Sequence, residues 1–193
     1  EGTPVATDYD DVYFSVDNGL AESRYVFIEQ NQLTERWQNH QTASYVIAET
    51  GFGTGLNFLA AWQHYQQFLE TNPDTALTRL HFISFEKHPL SLNDLSQALK
   101  QWPELKDFSD QLIAFYPQIM TPGCHRIAFH HPVPITLDIW IGDVHHNLPE
   151  VPNISGGLVN SWFLDGFAPS KNPDMWTPEL FEGMAKLSAE LKM

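Results

Sequence analysis

Four acidic residues each close an apolar run: Glu49 after Val46-Ile47-Ala48, Glu86 after Leu80 to Phe85, Asp143 just past Ile135 to Ile141, and Asp165 at the end of Leu158 to Asp165. Short, continuous apolar runs of this kind suit strands buried on both faces of a parallel sheet. Ligands of an open parallel sheet gather outside the carboxyl ends of its strands, so all four carboxylates are expected to face one crevice. Their chemistry there is hydrogen-bond acceptance. Glu49 can accept from a ligand ammonium or fix the turn that follows it. Glu86 is placed to accept from two ribose hydroxyls. Asp143, preceded by Gly142, suits an exocyclic amine, with the glycine leaving room for a ring.

The turn that must position them follows Glu49 directly and reads Thr50-Gly51-Phe52-Gly53-Thr54-Gly55-Leu56-Asn57. Gly51, Gly53 and Gly55 permit backbone conformations closed to other residues and let main-chain N–H groups approach a ligand. Leu56, Leu59, Ala60, Gln63, Tyr65, Phe68 and Leu69 then recur at helical spacing. Strand, glycine turn and helix form a nucleotide-type cradle. The dinucleotide fingerprint requires glycine or alanine three residues after its second glycine, and Leu56 stands there instead. The acid-x-Gly-x-Gly-x-Gly pattern resembles the first motif of S-adenosylmethionine-dependent methyltransferases. Their ligand carries an amino-acid tail and an adenosine without phosphate, which fits an acid beside a helix N-terminus better than pyrophosphate would.

Along the chain, Asp11 to Ser15 and Arg24 to Glu29 alternate around Asp17-Asn18-Gly19 and predict two strands of an amino-terminal hairpin or extension. A short helix is expected over Leu33 to Trp37. After the first long helix ends at Asn72-Pro73-Asp74, helices are predicted from His88 onward, with Leu92, Leu95 and Leu99 on one side, and over Glu104 to Phe115. Cys124 to His130 and Ile135 to Ile141 read as strands joined by a proline-rich turn. A last helix is predicted from Pro178 to Leu191. The fold class expected is α/β, with an amino-terminal β-rich extension over 1–44 and a Rossmann-like core over 45–193.

Composition narrows the function. The 193 residues suffice for one α/β domain with a sizeable core. No stretch has the apolar length of a membrane span, and Glu1-Gly2-Thr3-Pro4 lacks the features of a signal peptide. One cysteine, Cys124, excludes an intramolecular disulfide, so a reducing cytoplasmic location is expected. A net charge of -14 disfavours general nucleic-acid binding, and Lys87, Lys171, Lys186 and Lys192 are scattered. His125, His130, His131, His145, His146 and Cys124 match no zinc spacing, so no metal is expected. Cys124 has no positioned base to make it a nucleophile.

Longer segments carry a closer resemblance. Asp11-Val-Tyr-Phe-Ser15, Asp17-Asn-Gly-Leu20, Arg24-Tyr-Val-Phe27, Gly51-Phe-Gly-Thr-Gly-Leu-Asn-Phe58, His81-Phe-Ile-Ser-Phe-Glu-Lys87, Trp162-Phe-Leu-Asp-Gly-Phe-Ala-Pro169 and Lys171-Asn-Pro-Asp-Met-Trp176 are similar to the methyltransferase domain of the bifunctional tRNA-modifying family MnmC. The resemblance implies a Rossmann-like methyltransferase fold lacking its last strands, since the family continues past the position of Met193 into a glycine-rich turn, a strand and a basic terminal hairpin. It implies S-adenosyl-L-methionine as cofactor, held by Glu49, Gly51, Phe52, Gly53, Gly55, Asn57, Glu86, Lys87, Asp143 and Asp165. Phe167, Pro169 and Lys171 are the implied substrate contacts. The implied partner is tRNA with a modified wobble uridine, whose aminomethyl nitrogen is methylated to give 5-methylaminomethyl-2-thiouridine. An FAD-dependent oxidoreductase domain is expected as companion, with FAD bound there and not in this chain.

The reaction needs an uncharged amine in line with a carbon-sulfur bond, and no metal. Asp165, with the carbonyls of Gly166 and Phe167, is expected to accept the amine's hydrogens as the catalytic group, and Phe167 to stack on the uracil. Three alternatives share these sequence features: another small-substrate methyltransferase, a nicotinamide-dependent oxidoreductase on a similar sheet, or a domain that only docks tRNA or a partner.

Overall fold

The computed structural model describes residues 5–6, 11–12, 19–165, 173 and 175–189. At its centre is a five-stranded sheet built from β3 (Ser44–Thr50), β4 (Arg79–Glu86), β5 (Gly123–Phe129), β6 (Ile135–Ile141) and β7 (Ser161–Leu164), in the order β5-β6-β4-β3-β7. Strands β6, β4, β3 and β7 are parallel, and β5 closes one edge antiparallel to β6. The side-chain period of two divides the apolar runs between two cores. Tyr45, Ile47, Leu80 and Phe82 enter one core, while Val46, Ala48, Ile83 and Phe85 enter the other.

The first core is covered by α3 (Leu56–Thr71), α4 (Leu92–Leu99) and α5 (Lys106–Phe115). Trp62 anchors it: fully buried, its ring lies 4.8 Å from Phe129, 5.1 Å from Phe108 and 5.6 Å from Phe58 between ring centres, and its indole N–H donates to the Val133 carbonyl. The second core is covered by α6 (Val144–Asn147), the turn after it, and α7 (Pro178–Leu187), through Val144, Leu148, Leu180, Met184 and Leu187. Ser91 caps α4 and Thr177 caps α7, each by accepting a main-chain N–H of the first turn.

Ahead of the sheet, β1 (Val5–Ala6) and β2 (Asp11–Val12) pair antiparallel. The strand expected over Arg24–Glu29 is not formed. Helix α1 (Gly19–Ser23) runs into a π-helical turn over Arg24–Glu29, marked by the bond from Gln30 N to Tyr25 O, and α2 (Leu33–Gln38) follows. Packing decides this against β propensity. Phe27 and Ile28, adjacent in sequence, both pack on the first core with Leu20, Leu33 and Trp37, whereas a strand would send neighbours to opposite faces. Residues 13–18, with the expected turn at Asp17-Asn18, lie outside the described residues.

Two boundaries near the carboxyl end also differ from expectation. Strand β7 starts at Ser161 instead of Leu158, because the Asn160 side chain accepts from Val46 N at 2.8 Å where a strand carbonyl would have stood. Helix α7 ends at Leu187, since Ser188 turns to extended backbone and bridges Val159.

The antiparallel edge is held by charge. Asp138 of β6 accepts from Arg126 Nε and Nη2 of β5, each at 2.7 Å, and lies 2.9 Å from His81 Nε2 of β4. Burial alone would raise the Asp138 carboxyl, but the Arg126 and His81 hydrogen bonds outweigh it and hold the pKa at about 2. An unfolded aspartate titrates near about 3.9, so Asp138 contributes stability above that pH, lost as pH falls toward about 2. The Asp138→Asn protein is therefore expected to show a shallower loss of urea resistance than the parent between those two values. Parallel profiles would contradict this account of the edge.

Candidate active site

The four acids predicted at strand ends do share one rim. Glu49 lies at the end of β3, Glu86 at the end of β4, Asp143 just past β6 and Asp165 just past β7, all four strands pointing the same way. Between them runs the glycine turn. Gly51, Gly53 and Gly55 have φ of 90°, 53° and 74°, the left-handed region that favours glycine. Gly55 is also sterically confined: a Cβ there would stand 2.8 Å from Phe52 Cζ and 2.9 Å from Leu112 Cδ2. It opens α3 with no side-chain cap, which leaves the positive end of that helix facing the crevice.

Each acid has a distinct setting. Glu49 has no exposed surface; it accepts from Ser84 Oγ at 2.8 Å and from Asn57 Nδ2 at 3.3 Å. Burial, reinforced by the nearby charges of Asp165 and Glu86, raises its pKa well above the carboxylate range despite those two bonds. Glu86 spans the turn, with Oε2 accepting from Gly53 N at 2.9 Å and Oε1 from His88 N at 2.7 Å. Asp143 accepts from His145 N at 2.9 Å and pairs with Lys87 Nζ at 3.0 Å. Its partial burial acts upward, and Lys87 and the His145 amide overcome it, keeping the carboxylate charged. Asp165 Oδ2 accepts from Asn57 Nδ2 at 2.6 Å, and its carbonyl from Thr50 Oγ1 at 2.6 Å.

Asn57 thus lies between Glu49 and Asp165 rather than facing open crevice, and is 4% exposed. The Phe52 ring is buried in the first core against Phe58, so only its main chain belongs to the turn. Phe167, Pro169, Lys171 and the Gly166 carbonyl lie outside the described residues. Sequence reading missed the hydroxyls of Ser84 and Thr50. A serine inside the apolar run Leu80 to Phe85 was a usable signal, because a buried polar side chain requires a partner. Thr54 Oγ1 is buried and has no hydrogen-bond partner among the described residues. Among the described residues no three His, Cys, Asp or Glu side chains come together as metal ligands, and no helix is long and apolar enough to cross a membrane.

The family described as S-adenosyl-L-methionine-dependent methyltransferase matches residues 103–191. Over 187 residues the chain is 58% identical to the tRNA 5-methylaminomethyl-2-thiouridine biosynthesis bifunctional protein MnmC of Vibrio cholerae serotype O1 (strain M66-2), covering 97% of this chain and 27% of that protein. Over nearly its whole length the chain is thus similar to MnmC proteins, and its residues 103–191 match the methyltransferase family. The protein of that name from Aeromonas salmonicida (strain A449) is 56% identical over 188 residues, covering 97% of this chain and 28% of its own length. The chain therefore spans little more than a quarter of these MnmC relatives. The crystal structure of MNMC2 from Aquifex aeolicus superposes with a TM-score of 0.70 at 24% identity, over 97% of this chain and 54% of that one, and shows the same Rossmann-like α/β fold.

The raised pKa of Glu49 carries a signed prediction. A carboxyl that stays protonated on folding stabilises the native state below its unfolded pKa of about 4.3, and that contribution is lost as pH rises through the higher folded value. Glu49→Gln replaces it with a neutral group of similar shape. In urea unfolding across acid to alkaline pH, the variant is expected to gain on the parent steadily as pH rises. A constant difference between the two would refute a protonated Glu49.

Proposed function

We propose that the chain binds S-adenosyl-L-methionine at the rim of Glu86, Asp143 and Asp165 and methylates the aminomethyl nitrogen of 5-aminomethyl-2-thiouridine at the tRNA wobble position. In this reading residues 45–193 form the methyltransferase core and 1–44 the segment ahead of it. The wider protein is cytoplasmic and carries an FAD-dependent oxidoreductase region that prepares the amine. The observation that carries the reading is the convergence of acceptors beside an uncapped helix N-terminus. The cofactor's donors are an ammonium, a ribose diol and an adenine amine, and its one anion is a carboxylate. The rim offers carboxylates to the former and a helix N-terminus to the latter.

S-adenosyl-L-methionine supplies a methyl group made electrophilic by its sulfonium. What remains for the chain is to deliver a neutral nitrogen. An alkylamine with a lysine-like pKa is protonated over neutral by roughly three orders of magnitude at pH 7. Asp165, half-exposed at the end of β7, accepts the amine's hydrogens and directs its lone pair, while Asn57 and Thr50 hold Asp165 in place. Phe167 is the group proposed to stack on the uracil, and Pro169 and Lys171 are the other proposed substrate contacts. Glu86 receives the ribose and Asp143 the adenine amine, while Gly51, Gly53, Gly55 and Lys87 shape the approach.

Calorimetry separates the classes: S-adenosylhomocysteine is expected to bind and NADH not to, and binding of neither, with tRNA retained, would favour a docking domain. Asp165→Ala is expected to lower the rate of methyl transfer to hypomodified tRNA at saturating cofactor by about a hundredfold. Normal turnover would remove Asp165 from the mechanism. Glu86→Ala should weaken S-adenosylhomocysteine affinity by about tenfold or more, as loss of a charged acceptor does.

A further inference from the structure

Ser23, 1% exposed, sits where α1 gives way to the π-helical turn. Its Oγ donates to Asn57 Oδ1 at 2.6 Å across 34 positions of sequence. A carboxamide has donors at one end and an acceptor at the other. With Oδ1 filled by Ser23, Nδ2 faces the two carboxyl groups, donating to Asp165 at 2.6 Å and to Glu49 at 3.3 Å. The same junction is pinned to α3 by Arg24 Nη2, which donates to Gln63 Oε1 at 2.6 Å. π-Helical turns are uncommon and recur beside functional sites, and this one sets the path of the chain directly after Ser23.

We propose that Ser23 is a positioning residue for methyl transfer, acting through Asn57 to hold the Asp165 carboxylate in the orientation that receives the amine. The proposal rests on the role assigned to Asp165 above. Removing the hydroxyl leaves Asn57 Oδ1 buried without that donor, and the amide rotates in search of another. The Asp165 tether then loosens. The hydrogen bonds of Glu86 and Asp143 do not pass through Ser23, so the cofactor keeps those two acceptors while the rate of transfer falls.

The test uses the intact protein with hypomodified tRNA and labelled S-adenosyl-L-methionine under single-turnover conditions, with S-adenosylhomocysteine affinity and melting temperature measured in parallel. Ser23→Ala and the near-isosteric Ser23→Cys are expected to slow transfer by about tenfold with affinity held within about twofold, and Ser23→Thr to restore the rate. In an Asn57→Ala background the Ser23→Ala cost should vanish, as it must for residues in series. The side-chain amide resonance of Asn57 should shift in the alanine and cysteine proteins and stay near its parental position in the threonine one. If Ser23→Ala fails to fold, the cysteine and threonine proteins decide the matter. A parental rate in Ser23→Cys, or an undiminished Ser23 effect without Asn57, overturns the proposal. Asp165→Ala, assayed alongside, separates the two readings. Full activity there would sink the role of Asp165 itself, whereas an inactive Asp165→Ala beside a fully active Ser23→Cys sinks only the relay.

Discussion

Glu49 must be satisfied without water, and much of the rim follows from that need. A carboxyl with no exposed surface at the end of the central strand requires donors from its neighbours. It obtains them from Ser84 on the adjacent strand and Asn57 on the first turn of α3. Those two bonds tie β3, β4 and α3 together about the glycine turn. Asn57 then has a second hydrogen to give, and it goes to Asp165. The group at the heart of the proposed chemistry is thus oriented by a residue whose own position is set by a buried acid.

The electrostatics of the rim follow from the same arrangement. Burial, with the nearby charges of Asp165 and Glu86, raises the pKa of Glu49, and this acid, wholly removed from solvent, takes the proton. The more exposed Asp165 stands where a substrate can meet it. On the other side of the crevice Lys87 keeps Asp143 ionised. Within a chain of net charge -14 the rim is therefore graded from neutral to charged rather than uniformly acidic.

Much of this was legible in the sequence because short-range rules control it. The apolar runs gave β3, β4 and β6, the glycine spacing gave the left-handed turn, and the strand-end acids gave the rim. What escaped notice depends on long-range packing. Arg24 to Glu29 alternates like a strand, yet Phe27 and Ile28 both dock on the first core, which only a helical backbone permits. Strand β7 is shorter than its apolar run because the Asn160 side chain takes the place of a main-chain carbonyl, and no local pattern foretells that substitution. Ser23 belongs to the same class, since its partner lies 34 positions away in a residue that reads as a helix-opening asparagine.

The antiparallel edge has a consequence for self-association. An edge strand exposes a row of unpaired amides and carbonyls, a template on which another chain can add a strand. Strand β5 presents such an edge, but it carries the exposed, charged Arg126 side chain, clamped across its neighbour to Asp138. An incoming strand would have to lie beside a fixed guanidinium, and that guards this flank of the sheet against templated aggregation.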